Sequence, residues 1–90
     1  MAELIKIVRV TSDFTKSFKK LPRNIQKRAE NKDKKFRENP FTPSLKTHHL
    51  KGELQGLYSY SVNYHHRVLF KFLDPTTVVY YDIGTHEIYK

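Results

Sequence analysis

Cysteine is absent from this 90-residue sequence. That removes disulfides, thiolate nucleophiles and cysteine zinc sites, and it suits a reducing compartment. Glycine and proline are scarce, at three and four residues, and no repeat, low-complexity segment or linker is present. No stretch approaches the roughly 20 apolar residues a membrane span needs. The opening Met1-Ala2-Glu3-Leu4-Ile5-Lys6 breaks its apolar run with charge at once, unlike a signal peptide. A cytoplasmic location with no membrane partner is the expectation. The P-loop, G-x-G-x-x-G, G-x-S-x-G and H-E-x-x-H patterns are missing too, which leaves nucleotide hydrolysis, hydride transfer, serine esterase and zincin chemistry unsupported. Acid is also short. Nine Asp and Glu stand against 17 Lys and Arg, a net charge of +8 at neutral pH. Such an excess predicts a polyanionic partner, whether RNA, DNA, an acidic membrane surface or an acidic protein.

What the chain does have is an ordinary globular apolar content, 38% hydrophobic and 13% aromatic. That suffices for one thin core in a single domain over residues 1–90, with the six Phe and six Tyr carrying much of it. Ile5 to Val10 alternates with period two and is rich in β-branched residues, so it predicts a strand. Thr11, Ser12 and Asp13 are N-cap candidates for a short helix whose stripe is Phe14, Phe18 and Leu21. Pro22 ends that helix and opens a second, through about Glu38, striped by Ile25, Ala29 and Phe36. Asn39-Pro40 and Thr42-Pro43 stop it and begin a loop. Leu57–Asn63, Arg67–Leu73 and Thr77–Ile83 predict three further strands, with turns at Tyr64-His65-His66 and Asp74-Pro75. The order β-α-α-β-β-β implies an α+β fold: an N-terminal strand, a two-helix hairpin, then a largely antiparallel sheet covered on one face. Alternation puts Ser59, Ser61 and Asn63 opposite Tyr58, Tyr60, Val62 and Tyr64, and Arg67, Leu69 and Lys71 opposite Val68, Phe70 and Phe72. One face is thus apolar, and the other carries hydroxyls, an amide and cations.

Several groups could carry chemistry. His48-His49-Leu50-Lys51-Gly52 places two imidazoles and an ammonium in a loop before the sheet. RNA cleavage by a 2′-hydroxyl needs a base, an acid and cations around the phosphorane. Histidine, with a free pKa of about 6.5, serves the first two needs, and Lys or Arg the third, without any metal or other cofactor. A wet basic loop is the plainer reading. Arg67, flanked by apolar residues on a probable central strand, needs an anion: Asp82 or Glu87 within the chain, or a substrate phosphate. His86 and Tyr89, just past the last strand, can reach back over a sheet face, although Tyr89 could equally plug the core edge. The cations of the second helix, Lys27, Arg28, Lys34 and Lys35 among them, form either a solvated face or a phosphate-contacting one that would position without choosing sequence. His65 and His66 are adjacent on extended chain, so they face opposite ways and would not chelate one ion.

Assembled, these pieces resemble a family. Phe18-Lys19-Lys20-Leu21-Pro22-Arg23-x-x-Gln26 is similar to the helix junction of the RelE/ParE toxin superfamily. His48-x-Leu50-x-Gly52-x-x-x-Gly56 followed by a strand is similar to its pre-sheet loop. Tyr58-x-Tyr60-x-Val62-Asn63-Tyr64-x-x-Arg67-Val68-Leu69-Phe70 resembles its strand pair, and Asp82-Ile83-Gly84-Thr85-His86 its terminal segment. The resemblance implies a RelE-like toxin of a type II toxin–antitoxin module, silenced by a cognate antitoxin. In the RelE and YafQ-like branch it implies metal-independent cleavage of mRNA in the ribosomal A site. His48 and His86 then fall in proton-transfer positions, Arg67 near the phosphate and Tyr89 at the terminal aromatic, with His49, Lys51 and Lys71 as further contacts. Ser61 stands where a YafQ-like toxin has a histidine, and His65 where it has an aspartate. Tyr89 follows His86 by three residues rather than four. The alternatives are a ParE-like gyrase inhibitor and a catalytically inactive module that binds RNA or antitoxin.

Overall fold

A computed structural model of the chain describes residues 4–54 and 56–89, so Met1–Glu3 of the charge-broken N-terminus lie outside it. Strand β1 covers Ile7–Val10 and helix α1 Ser12–Lys20. Thr11 caps α1: its hydroxyl oxygen accepts from the Phe14 N–H at 3.0 Å and donates to the Tyr81 carbonyl at 2.7 Å. Helix α2, Arg23–Glu38, begins directly after Pro22, whose missing N–H costs nothing there. The junction is held by Gln26, whose amide donates to the Phe18 and Leu21 carbonyls at 3.0 and 3.2 Å. The Phe18 carbonyl also accepts from the Leu21 N–H at 3.1 Å, so the C-terminal end of α1 is closed by both a backbone and a side-chain donor. Strands β2 (His48–His49), β3 (Tyr58–Ser61), β4 (Arg67–Asp74) and β5 (Thr77–Gly84) follow, and a 3₁₀ turn over His86–Tyr89 ends the described chain.

The sheet has five strands in the order β1-β5-β4-β3-β2. Only β1–β5 is parallel; the other three pairs are antiparallel. Both helices lie on the face bearing Val8, Tyr60, Val68, Phe70, Val78, Tyr80 and Ile83. Phe36 of α2, 0% exposed, is the centre of the core. Its ring meets those of Tyr60, Phe70 and Tyr80 at centroid distances of 4.8, 4.8 and 5.7 Å. Two polar groups buried in this layer are satisfied in series. The Tyr60 hydroxyl donates to that of Tyr80 at 3.1 Å, which donates to the Asp33 carboxylate at 2.7 Å. Burial pushes both phenols up, so they stay protonated as donors.

The α+β architecture and largely antiparallel sheet therefore stand as expected, with the sheet mixed because β1 runs parallel to β5. One element differs. His48 and His49, read as loop, form the edge strand β2 against β3, with His48 opposite Ser59 and His49 opposite Tyr58. Two residues cannot display a period, so this strand exists only through its pairing partner.

Candidate active site

The sheet face away from the helices is built around two serines of β3. Ser59 and Ser61 alternate with the core residue Tyr60, so their hydroxyls share the uncovered face, about 6.7 Å apart along the strand. Ser59, 0% exposed, accepts from the Tyr89 hydroxyl at 2.9 Å and lies 3.5 Å from Nε2 of His48. The His48 ring is oriented from its other side. Nδ1 is 3.0 Å from the Lys46 carbonyl, which can only accept, so the neutral ring carries its proton on Nδ1 and its lone pair on Nε2. Lys46 reaches that position through a left-handed backbone, φ 51°. A non-glycine residue rarely takes this conformation, and here it turns the chain into β2.

The second serine holds the arginine. The Arg67 guanidinium donates to Ser61 Oγ, and the Ser61 hydroxyl donates to the Asn63 carbonyl at 3.2 Å. Arg67 pairs in register with Ser61 on β3 and with Gly84 on β5, so it occupies the middle of the sheet. Asp82 is not its ion partner: that carboxylate accepts from the Ile83 N–H at 2.9 Å. An ion pair of Arg37 with Asp33 at 3.0 Å lies in the helical layer. Arg67 instead faces a hollow of about 430 Å³ that it lines with Tyr64, His65, Thr85, His86 and Glu87. His86 arrives there because the chain folds back after Gly84. The approach is close there: a Cβ at Gly84 would sit 3.0 Å from Ile88 Cγ2, so a larger residue would have to displace that methyl.

The expected site residues thus divide. Arg67 and His86 share the hollow, and His48 and Tyr89 meet at Ser59 on the same sheet face. Lys71 is exposed on that face too, but four residues along β4 from Arg67, about 13 Å away. His49 points through to the helix side. Its ring lies 4.8 Å from that of Tyr58, and Nε2 accepts from the Gly56 N–H at 3.2 Å, so it supports the loop. Lys51 is exposed in the connection after β2. Lys27, Arg28, Lys34 and Lys35 are exposed on α2, in the layer across the sheet from the hollow, so the fold does not bring them to Arg67. His65 and His66 remain separate in function: His65 lines the hollow, while His66 sits 3.1 Å from the Asn63 side-chain oxygen. Burial, then the charge of His65, lowers the His66 pKa. Among the described residues no three His, Asp or Glu side chains gather as a metal would need. Sequence reasoning placed Ser59 and Ser61 on this face by alternation but missed that they anchor Tyr89 and Arg67.

The fold and part of the sequence have known counterparts. Residues 23–90 match the ParE-like toxin domain family. No curated protein matches the sequence. Among solved structures, the chain is similar to one in the RelBE2 toxin–antitoxin complex from Mycobacterium tuberculosis. That likeness has a TM-score of 0.77 and 24% identity over 91% of this chain and 92% of the other. It is similar to a YoeB/ParE toxin from Agrobacterium tumefaciens, with a TM-score of 0.76 and 14% identity over 90% and 99%. YafQ from E. coli aligns with a TM-score of 0.68 and 21% identity over 93% and 97%.

Proposed function

The chain belongs to the ParE-like toxin domain family, and from that premise we propose that it is the toxin of a type II toxin–antitoxin pair, cutting mRNA in the ribosomal A site. The observation that carries the ribonuclease reading is the pairing of Arg67 and His86 in one hollow, on the sheet face that also presents His48. In the reaction a 2′-hydroxyl loses its proton and attacks the adjacent phosphorus. The bond to the 5′-oxygen breaks, the leaving oxygen takes a proton, and a 2′,3′-cyclic phosphate remains. His48 Nε2, which bears the lone pair of the neutral ring, suits the base. His86, when protonated, suits the acid, and Arg67 neutralises the phosphorane with a charge already oriented by Ser61. Tyr89 supports the site through Ser59. None of these steps calls for a metal or cofactor. A gyrase inhibitor has no need of imidazoles beside a cationic sheet, which favours the nuclease.

An antitoxin partner is supported by the solved relatives, two of which are toxin–antitoxin complexes, RelBE2 and the YoeB–YefM complex from Staphylococcus aureus. No helix is long and apolar enough to cross a membrane among the described residues, consistent with action on cytoplasmic ribosomes.

The test is a cell-free translation reaction with mRNA ends mapped by primer extension. Codon-phased cuts that vanish with His86→Ala, while circular dichroism shows an intact fold, support the reading. Tyr89→Ala should slow cutting. Intact mRNA with inhibited DNA supercoiling would replace the nuclease by a gyrase inhibitor, and no effect in either assay would leave a binding module.

A further inference from the structure

We infer that Tyr64, at the tip of the β3–β4 connection, is a stacking platform for a base of the RNA whose phosphate lies against Arg67, and so sets substrate affinity. The inference rests on the ribonuclease reading above and adds a recognition residue to it. Tyr64 is 85% exposed, more than any other exposed large apolar side chain among the described residues. A ring left in water keeps its face open, unlike the buried aromatics of this fold, and can take a base against it.

The ring is exposed but its backbone is fixed. The Asn63 side-chain oxygen accepts from the N–H groups of His65 and His66 at 2.9 and 2.8 Å, an Asx turn that shapes the tip. Val62 N–H donates to the His66 carbonyl at 2.9 Å, closing the connection from below. The Ser61 hydroxyl that receives Arg67 also donates to the Asn63 carbonyl. One side chain therefore ties the position of the guanidinium to that of the turn carrying Tyr64. The His65 ring meets Tyr64 edge-on, with centroids 5.0 Å apart and planes at 81°. Both rings line the hollow with Arg67 and His86.

An aromatic ring held at the rim of a cationic hollow is what an unpaired base requires. The phosphate goes to the arginine, and the base, whose π-face is present in every nucleotide, goes to the ring. Such stacking tolerates sequence, so Tyr64 would add affinity across codons. The arrangement also separates two tasks in one hollow: His86 handles protons and Tyr64 holds the substrate.

The experiment titrates the protein onto ribosomes programmed with mRNA carrying 2-aminopurine in the A-site codon, and reads quenching of that base together with cleavage. Tyr64→Ala should weaken binding about tenfold and lose the quench, and Tyr64→Phe should retain both. His86→Ala should abolish cutting while preserving the quench. Equal affinity and equal quench for Tyr64→Ala and the unaltered protein would overturn the stacking role, even with cleavage intact. An unaltered protein that produces no quench would overturn it as well. Quenching without cleavage would sink the nuclease reading and leave the platform standing.

Discussion

Replacing Gly84 with alanine inserts one methyl group into the joint between β5 and the terminal turn. The new Cβ would lie 3.0 Å from Ile88 Cγ2, where ordinary contact begins near 3.4 Å, so the turn must retreat by several tenths of an ångström or Ile88 must leave its rotamer. Overpacking of this kind costs about 1–3 kcal/mol, offset by roughly 0.4–1 kcal/mol from the stiffer unfolded chain. A net loss of about 1 kcal/mol should lower Tm by roughly 4–8 °C in a domain of this size. The functional loss should be larger in proportion. The turn carries His86 and Tyr89, and the Tyr89 hydroxyl is held by a 2.9 Å hydrogen bond to Ser59. Misplacing a catalytic group by about 1 Å can cost on the order of 100-fold, so cutting should fall by roughly ten- to a hundredfold. Urea denaturation and primer extension on the same preparations measure the two effects. Gly84→Ala combined with Ile88→Ala removes the obstructing methyl and should recover part of the activity, a coupling that a double-mutant cycle reads directly. Unchanged cleavage in Gly84→Ala, or no recovery in the double variant, would refute the claim that this glycine sets the turn.

Ser59→Ala and Tyr89→Phe each break the same hydrogen bond, so each should cost about 1 kcal/mol by urea denaturation, and the double variant little more than either; full additivity would show that the bond contributes nothing. Arg67→Lys keeps the charge but loses the planar fork that reaches Ser61, so cutting should drop at least tenfold with binding to programmed ribosomes largely kept. The lowered His66 pKa means that the unfolded chain binds a proton before the folded one does as pH falls below about 6.5. Stability should therefore decline through that window and not above it, and the decline should be shallower in His66→Gln. Parallel Tm curves for the two proteins between pH 5 and 7.5 would contradict the assignment.

Much of the fold was legible because its signals are local. Period-two alternation in β1, β3 and β4, the Phe14-Phe18-Leu21 stripe and the proline between the helices each follow from backbone geometry that a short window of residues determines. The same alternation separated a polar sheet face from an apolar one. Pairing across strands was not local. His48 and His49 are neighbours with the same ring, and only the register with Ser59 and Tyr58 turns one toward Ser59 on the uncovered face and the other toward Tyr58. The serines show the same limit: two small hydroxyls become anchors only because Arg67 and Tyr89 fold onto them from 6 and 30 positions away. The helix cations, conspicuous in composition, were removed from the hollow by a sheet lying between. Residue types and periods thus determined which layers form and which face is polar, since these depend on neighbours along the chain. Which imidazole, hydroxyl and guanidinium share a hollow was decided by long-range packing, since their distances are set by strand register and chain reversal and by nothing in the adjacent sequence.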